Sequence, residues 1–289
     1  MQNRFEIPVI FDCQGQQLIG LIHPADASVG VLVVVGGPQY RVGSHRQFVL
    51  LARHLAAQGI PAMRFDVRGM GDSEGQPRSF QQIDDDIRAA IDCFLASCPA
   101  LNRVVLLGLC DGASAALFYA YQDSRVKALV LLNPWVFTEQ GAAKTYLKHY
   151  YLQRMLSRDL WRKVFLFKFN YADSSASFLN LLKQAGGQQK SAKSARVDEH
   201  LSLPVRMRES LRQFAGPILL ILSGRDLTAD EFKETLKGDP KWQLLLAETR
   251  MTRHDFAESD HTFSSTAWRD QVADWTSNWV KSLNEPNNA

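Results

Sequence analysis

The chain has 289 residues, 46% hydrophobic and 22% charged, with a net charge of +3, the balance of a globular protein with one large core. So small a charge gives no reason to expect a nucleic-acid partner, and the absence of any apolar run of about 18 residues gives none to expect a membrane span. Cys13, Cys93, Cys98 and Cys110 form no C-x-x-C pair and sit at no zinc spacing with histidine, so no metal or cofactor is expected; reduced thiols behind a leaderless N-terminus imply a cytoplasmic protein.

Strand-like and helix-like segments alternate, which predicts an α/β fold with a mostly parallel sheet. "RFEIPVIFDC" and "QQLIGLIHPA" read as two strands joined by a turn at 14–16. "VGVLVVVGG" is a continuous β-branched run, as a strand buried on both faces requires. A helix over about 46–58 leads to the strand "PAMRFDV". Residues 80–96 carry a helical period with Ser79 as N-cap. "RVVLLGL", a helix from Asp111, and "VKALVLLNP" follow. "GPILLILSG" and "WQLLLAE" read as the last two of eight strands, and "SSTAWRDQVADWTSNWVKSL" as a closing amphipathic helix.

Between Pro134 and Pro217 the alternation breaks. The expected organisation is a discontinuous core of residues 1–134 and 217–283, a helical insertion over 135–216, and a disordered tail at 284–289. The insertion is aromatic and basic, with Ser157 capping one of its helices. From Trp135 to Phe214 it holds 14 Lys/Arg against 6 Asp/Glu, a net of +8, which leaves about −5 for the rest. Such a charge suits an acidic partner, a coenzyme A phosphate, a phosphopantetheine carrier or an anionic glycan; a solvated helix face would have the same composition. Its basic aromatic run also fits membrane contact, although residues covering an active site explain the composition as well.

Gly108-Leu109-Cys110-Asp111-Gly112 lies between a strand and a helix. It resembles the nucleophile elbow of α/β-hydrolases, with cysteine in place of serine. A nucleophile on a strained strand-to-helix turn needs slim neighbours two residues away, which Gly108 and Gly112 supply, and the helix N-terminus favours a thiolate. A buried structural cysteine is the alternative. "FDVRGMGDSEG" resembles the Asp-x-Arg-Gly-x-Gly-x-Ser loop that follows the fourth strand in many such hydrolases, and is taken as fold evidence.

The fold implied is the α/β-hydrolase fold with a helical lid. Its nucleophile, acid and base come in that chain order. The acid then follows "LLILSG": Asp226 fits directly after the strand, while Asp230 sits where helix caps occur. The base falls before the last helix, at His261, with His254 as competitor and Ser264 or Ser265 capping. The other histidines read as solvated or structural. One oxyanion donor is the backbone N–H of Asp111. The second belongs to the loop 36–40, where Pro38 has no N–H; Gln39 takes over as donor, or the loop path differs and Gly37 serves.

The runs "GGPQYRVGSHRQF", "FDVRGMGDSEG", "GLCDGASAAL", "SGRDLTADEF" and "DHTFS" together resemble the type 1 hydrolase family associated with the exosortase A sorting system. That resemblance implies the fold and a Cys-His-Asp triad; a thiolate nucleophile in turn suits an esterase, thioesterase or acyltransferase acting on a small-molecule acyl ester or thioester. A dienelactone-hydrolase-like enzyme and a non-catalytic binding protein on the same fold are the alternatives.

Overall fold

In a computed structural model, residues 6–37, 39–136 and 201–283 are described. Most of the basic insertion, Ser157, Pro38 and the tail at 284–289 lie outside them. The strands are β1 (Ile7–Cys13), β2 (Gln16–His23), β3 (Val29–Val34), β4 (Ala62–Phe65), β5 (Arg103–Leu109), β6 (Val126–Leu132), β7 (Ile218–Arg225) and β8 (Met251–Asp260). The helices are α1 (Gln47–Ala57), α2 (Asp84–Ser97), α3 (Asp111–Ala120), α4 (Leu203–Gln213), α5 (Leu227–Gly238), α6 (Pro240–Leu246) and α7 (Thr266–Ser282). Among the described residues no helix is long and apolar enough to cross a membrane.

The strands form one sheet in the order β1-β2-β4-β3-β5-β6-β7-β8. β1, β2 and β4 pair antiparallel, and every pairing from β4 to β8 is parallel. The eight-stranded, mostly parallel sheet flanked by helices is therefore as expected. The central strands read as unbroken apolar runs because both faces are covered. On one face Leu32, Leu106, Leu129 and Leu220 join a core with Phe94 of α2, Phe118 of α3 and Met207 of α4. On the other Val31, Val33, Val105 and Ile221 meet Leu55 of α1 and Val280 of α7. Each buried aliphatic side chain contributes about 1.5–3 kcal/mol.

Chain direction places the site. From β3 the chain moves outward to β4 and then returns to β5 on β3's other side, so the loops after β3 and β5 diverge from adjacent strand ends. That divergence opens the crevice where open α/β sheets bind ligands. Gly36–Gly37 and Cys110 both stand there, with Val34 and Gly108 in register.

Two elements differ from the sequence reading. "WQLLLAE" is largely helix, not strand: Pro240–Leu246 forms α6, and the Asp239 side chain accepts from Lys241 N. Asp-Pro at a helix start outweighs a short apolar run, since proline at the first helical positions loses no bond. The eighth strand is instead "MTRHDFAESD", an edge strand with a largely polar, exposed side. Ser79 caps only a single 3-10 turn at Phe80–Gln82, and α2 begins at Asp84. The late start puts Asp84, Asp85 and Asp86 in the first turn, where the helix dipole favours acids. Buried Asp86 there receives Arg68 Nε at 2.8 Å and Nη2 at 3.1 Å.

Candidate active site

Cys110 joins β5 to α3 with φ 59° and ψ −127°. A non-glycine residue in such a conformation costs about 1–3 kcal/mol and persists only where its surroundings fix it. Here Cys110 N donates to Leu132 O at 2.9 Å, while its carbonyl accepts from Ala113 N at 3.1 Å and Trp135 N at 3.1 Å. The flanking glycines are a steric requirement. A Cβ on Gly108 would lie 2.4 Å from the Gly112 carbonyl, and one on Gly112 would lie 2.5 Å from Val34 O. The turn leaves Cys110 half-buried at the crevice, near enough to His261 to help raise its imidazole.

His261 stands in the turn between β8 and α7, and its Nδ1 lies 2.8 Å from Asp226 Oδ2. Asp226 is buried and follows β7 directly. It also caps α5, accepting from Thr228 N and Ala229 N at 3.1 Å each. Asp230, the competing acid, is in the first turn of α5 with Lys233 Nζ 3.4 Å away. The competing base His254 sits within β8 and stacks on Trp275 of α7, ring centroids 4.4 Å apart. So the structure brings Cys110, His261 and Asp226 together. Burial opposes a charge on His261, but hydrogen bonds to Asp226 and Cys110 and their negative charge outweigh it, raising the imidazole to about 10. Burial pushes the thiols of Cys13, Cys93 and Cys98 up instead.

The loop after β3 is tied down by the Asp-x-Arg-Gly segment. Buried Asp66 accepts from Arg41 N at 2.6 Å and from Asp72 N at 3.1 Å, and it pairs with the Arg41 guanidinium. Of the two candidate donors in this loop, Gly37 is the one whose N–H meets the Asp111 carboxylate, at 2.7 Å to Oδ2. The Gln39 side-chain amide turns to Ser44 Oγ at 3.2 Å. A cavity of about 270 Å³ opens beside this point, lined in part by Gly37, Met70, Arg78, Phe80 and Asp111.

Residues 28–236 match the family model described as serine aminopeptidase, S33. The chain belongs to that family. The match spans the elbow and Asp226 and stops before His261. The chain is 32% identical over 142 residues to a thiohydrolase, apmlB, of Arthrinium phaeospermum, covering 46% of this chain and 45% of that one. It is 31% identical over 130 residues to a polyketide transferase, claH, of Penicillium crustosum, covering 42% of each. The chain thus spans less than half the length of these curated relatives. Among solved structures, the Pyrococcus furiosus esterase Pf2001 superposes with a TM-score of 0.65 at 14% identity, covering 96% of this chain and 92% of that one. At that identity the likeness establishes the α/β-hydrolase fold alone.

Asn133 was not singled out in the sequence, and it links three strand ends. It is fully buried with φ 43°. Its Nδ2 donates to Ser223 Oγ at 2.8 Å and to the His261 carbonyl at 3.0 Å, while its Oδ1 accepts from Ser223 N at 2.7 Å. Ser223 Oγ in turn donates to Asp260 O at 2.8 Å. The available signal was a lone amide closing the apolar run "VLLNP", directly before a proline.

Proposed function

We propose that this S33-family protein is an acyl hydrolase or acyltransferase in which Cys110 is the nucleophile, His261 the base and Asp226 the group that orients the base. The observation that carries the reading is His261 Nδ1 on the Asp226 carboxylate at 2.8 Å, with Cys110 among the groups that raise the same imidazole. Commitment of Nδ1 to Asp226 leaves Nε2 for the thiol and, later, for the leaving group. In the first step the thiolate sulfur bonds the substrate carbonyl carbon, and the former thiol proton is held on His261. The tetrahedral intermediate collapses by breaking the bond to the leaving thiol or alcohol, which takes that proton. The acyl group is then a thioester on Cys110. Water or an acceptor nucleophile attacks it, giving its proton to His261, and Cys110 leaves as thiolate.

Exchange between one thioester and another is near thermoneutral, which favours thioester substrates over amides. The names thiohydrolase and polyketide transferase on partial relatives point the same way. Transfer is the second reading, favoured by the transferase name and by the susceptibility of a thioester to amines. The basic insertion, read as a lid over 135–216, suits a phosphopantetheine carrier or coenzyme A as the acyl donor. Within the family, the quoted motif runs support placement among the type 1 hydrolases of exosortase A systems.

The test needs no known substrate. Limiting iodoacetamide at about pH 6 is expected to label Cys110 ahead of Cys13, Cys93 and Cys98, because only an activated thiol is nucleophilic there. His261→Ala is expected to abolish that preference. Labelling shared equally among the four cysteines would sink the reading and favour a binding protein on a hydrolase fold. Positive labelling leads to a screen of short acyl-coenzyme A thioesters and 4-nitrophenyl esters.

A further inference from the structure

The groups that stabilise a tetrahedral oxyanion in this fold are backbone N–H donors from the residue after the nucleophile and from the loop after β3. Here the β3-loop donor faces a side chain. The Asp111 carboxylate accepts from Gly37 N at 2.7 Å and from Gly112 N at 3.1 Å. The space it fills exists because Gly36 has no side chain: a Cβ there would lie 2.0 Å from Asp111 Oδ1. An acid in the first helical turn is commonplace, and ordinarily serves its own helix. Asp111 instead reaches across 74 positions of sequence to the one loop that supplies the second donor.

We propose that Asp111 is a self-supplied plug of the oxyanion site, its carboxylate holding the donors that the acyl intermediate on Cys110 needs, so that each turnover begins with its displacement. The inference rests on the acyl chemistry proposed above. The negative oxygen held there stands where a developing oxyanion would accept the same bonds. The neighbouring cavity, to which both Asp111 and Arg78 contribute, gives the displaced carboxylate somewhere to go and a guanidinium to face. Burial raises the Asp111 carboxyl while backbone N–H groups, Gly37 first, and the nearby His261 hold it down, so its charge is poorly solvated and depends on those donors.

The plug has a consequence for substrate class. A small activated ester brings little binding energy and must wait for the minor, unplugged state, so its apparent reactivity falls by the fraction unplugged. A large acyl thioester on a carrier makes contacts remote from the carbonyl and can spend them on displacement. The device thus selects bulky, carrier-borne acyl donors over small esters.

Two reactions of the same thiol separate the plug from the thiolate. Alkylation by iodoacetamide passes through no oxyanion, whereas acylation by 4-nitrophenyl acetate does. Removing a negative charge beside Cys110 alters thiol reactivity in both, so the ratio of acylation to alkylation rates isolates the donors. In Asp111→Ala that ratio is expected to rise about tenfold or more, since one oxyanion donor is worth about 10²–10³ in rate. Asp111→Asn keeps one acceptor oxygen for two donors and is expected to fall between parent and alanine variant; it also serves if the alanine variant folds poorly. An unchanged or lowered ratio in a folded variant would overturn the plug and leave Asp111 as an anchor between the β3 loop and α3. Failure of Cys110 to alkylate selectively in the parent would instead overturn the nucleophile assignment, so the two failures are distinguishable.

Discussion

Asp226→Asn separates what Asp226 does for the fold from what it does for His261. In the parent, Oδ2 is shared by His261 Nδ1 at 2.8 Å and Ala229 N at 3.1 Å, while Oδ1 takes Thr228 N at 3.1 Å. Asparagine has one acceptor oxygen. Turned toward Thr228 it keeps half the cap and presents an NH₂ to His261, which reverses the imidazole tautomer and leaves a proton on the nitrogen that must accept one. Turned the other way it keeps His261 but sets an NH₂ against Thr228 N–H. Asparagine and aspartate are equally good caps, so the fold loses at most about 1 kcal/mol, a shift of about 2–4 °C in melting temperature for a chain of this size. A reversed tautomer in a triad of this kind costs up to about 10⁴ in turnover. Thermal unfolding and burst kinetics with 4-nitrophenyl acetate, run on the same preparation, read the two quantities. A variant with parent-like melting and more than a third of parent acylation would refute the assignment of Asp226 as the orienting acid.

Asn133→Ala takes the partner from Ser223 N and from the His261 carbonyl and puts alanine at φ 43°, so urea unfolding is expected to show a loss of about 1–3 kcal/mol; a change too small to resolve would mean the strand-end network is not structural. Gly108→Ala sets a methyl group against the immovable backbone of Gly112, and little soluble protein with no acylation burst is expected; normal yield and activity would contradict the tight elbow. Burial opposes ionisation of Asp123, but hydrogen bonds from Arg125 and Tyr119 outweigh it and hold its carboxyl down at about 2. A depressed carboxyl stabilises the fold above its unfolded value and loses that contribution as pH falls, here from about 4 towards 2. Asp123→Asn is therefore expected to flatten the acid limb of a denaturation midpoint against pH, and an unchanged limb would count against the Arg125 pairing.

The sheet and the residues at its carboxyl edge were legible for different reasons. Val29–Val34, Arg103–Leu109 and Ile218–Arg225 announce themselves because a strand buried on both faces cannot carry polar residues through its middle. Asp226 was legible by its place directly after such a strand, and His261 by its place before a long amphipathic helix. Met251–Asp260 was not, because an edge strand keeps only every second residue against the core, and its apolar neighbour Trp242–Leu246 drew the assignment away. The start of α2 was hidden by an ion pair, Arg68–Asp86, between segments that are separate in sequence. Occupation of the β3-loop donors by Asp111 was hidden likewise: Gly36, Gly37 and Asp111 meet only when β3 and β5 lie side by side.

Cys110 bears on how tightly the His261 imidazole holds its proton. His261 is raised to about 10 against the cost of burial, with Asp226 and Cys110 both contributing hydrogen bonds and negative charge. Serine at 110 takes away any such negative charge, because a hydroxyl does not ionise near neutrality. In Cys110→Ser, His261 is expected to lose its proton well below the parent value. At about pH 8 the parent imidazole is then charged and the variant's neutral. Nitrogen-resolved NMR of the imidazole, assigned by comparison with His261→Gln, distinguishes the two. Identical titration of parent and variant would mean that Asp226 alone raises His261, and that the cysteine holds no negative charge beside it.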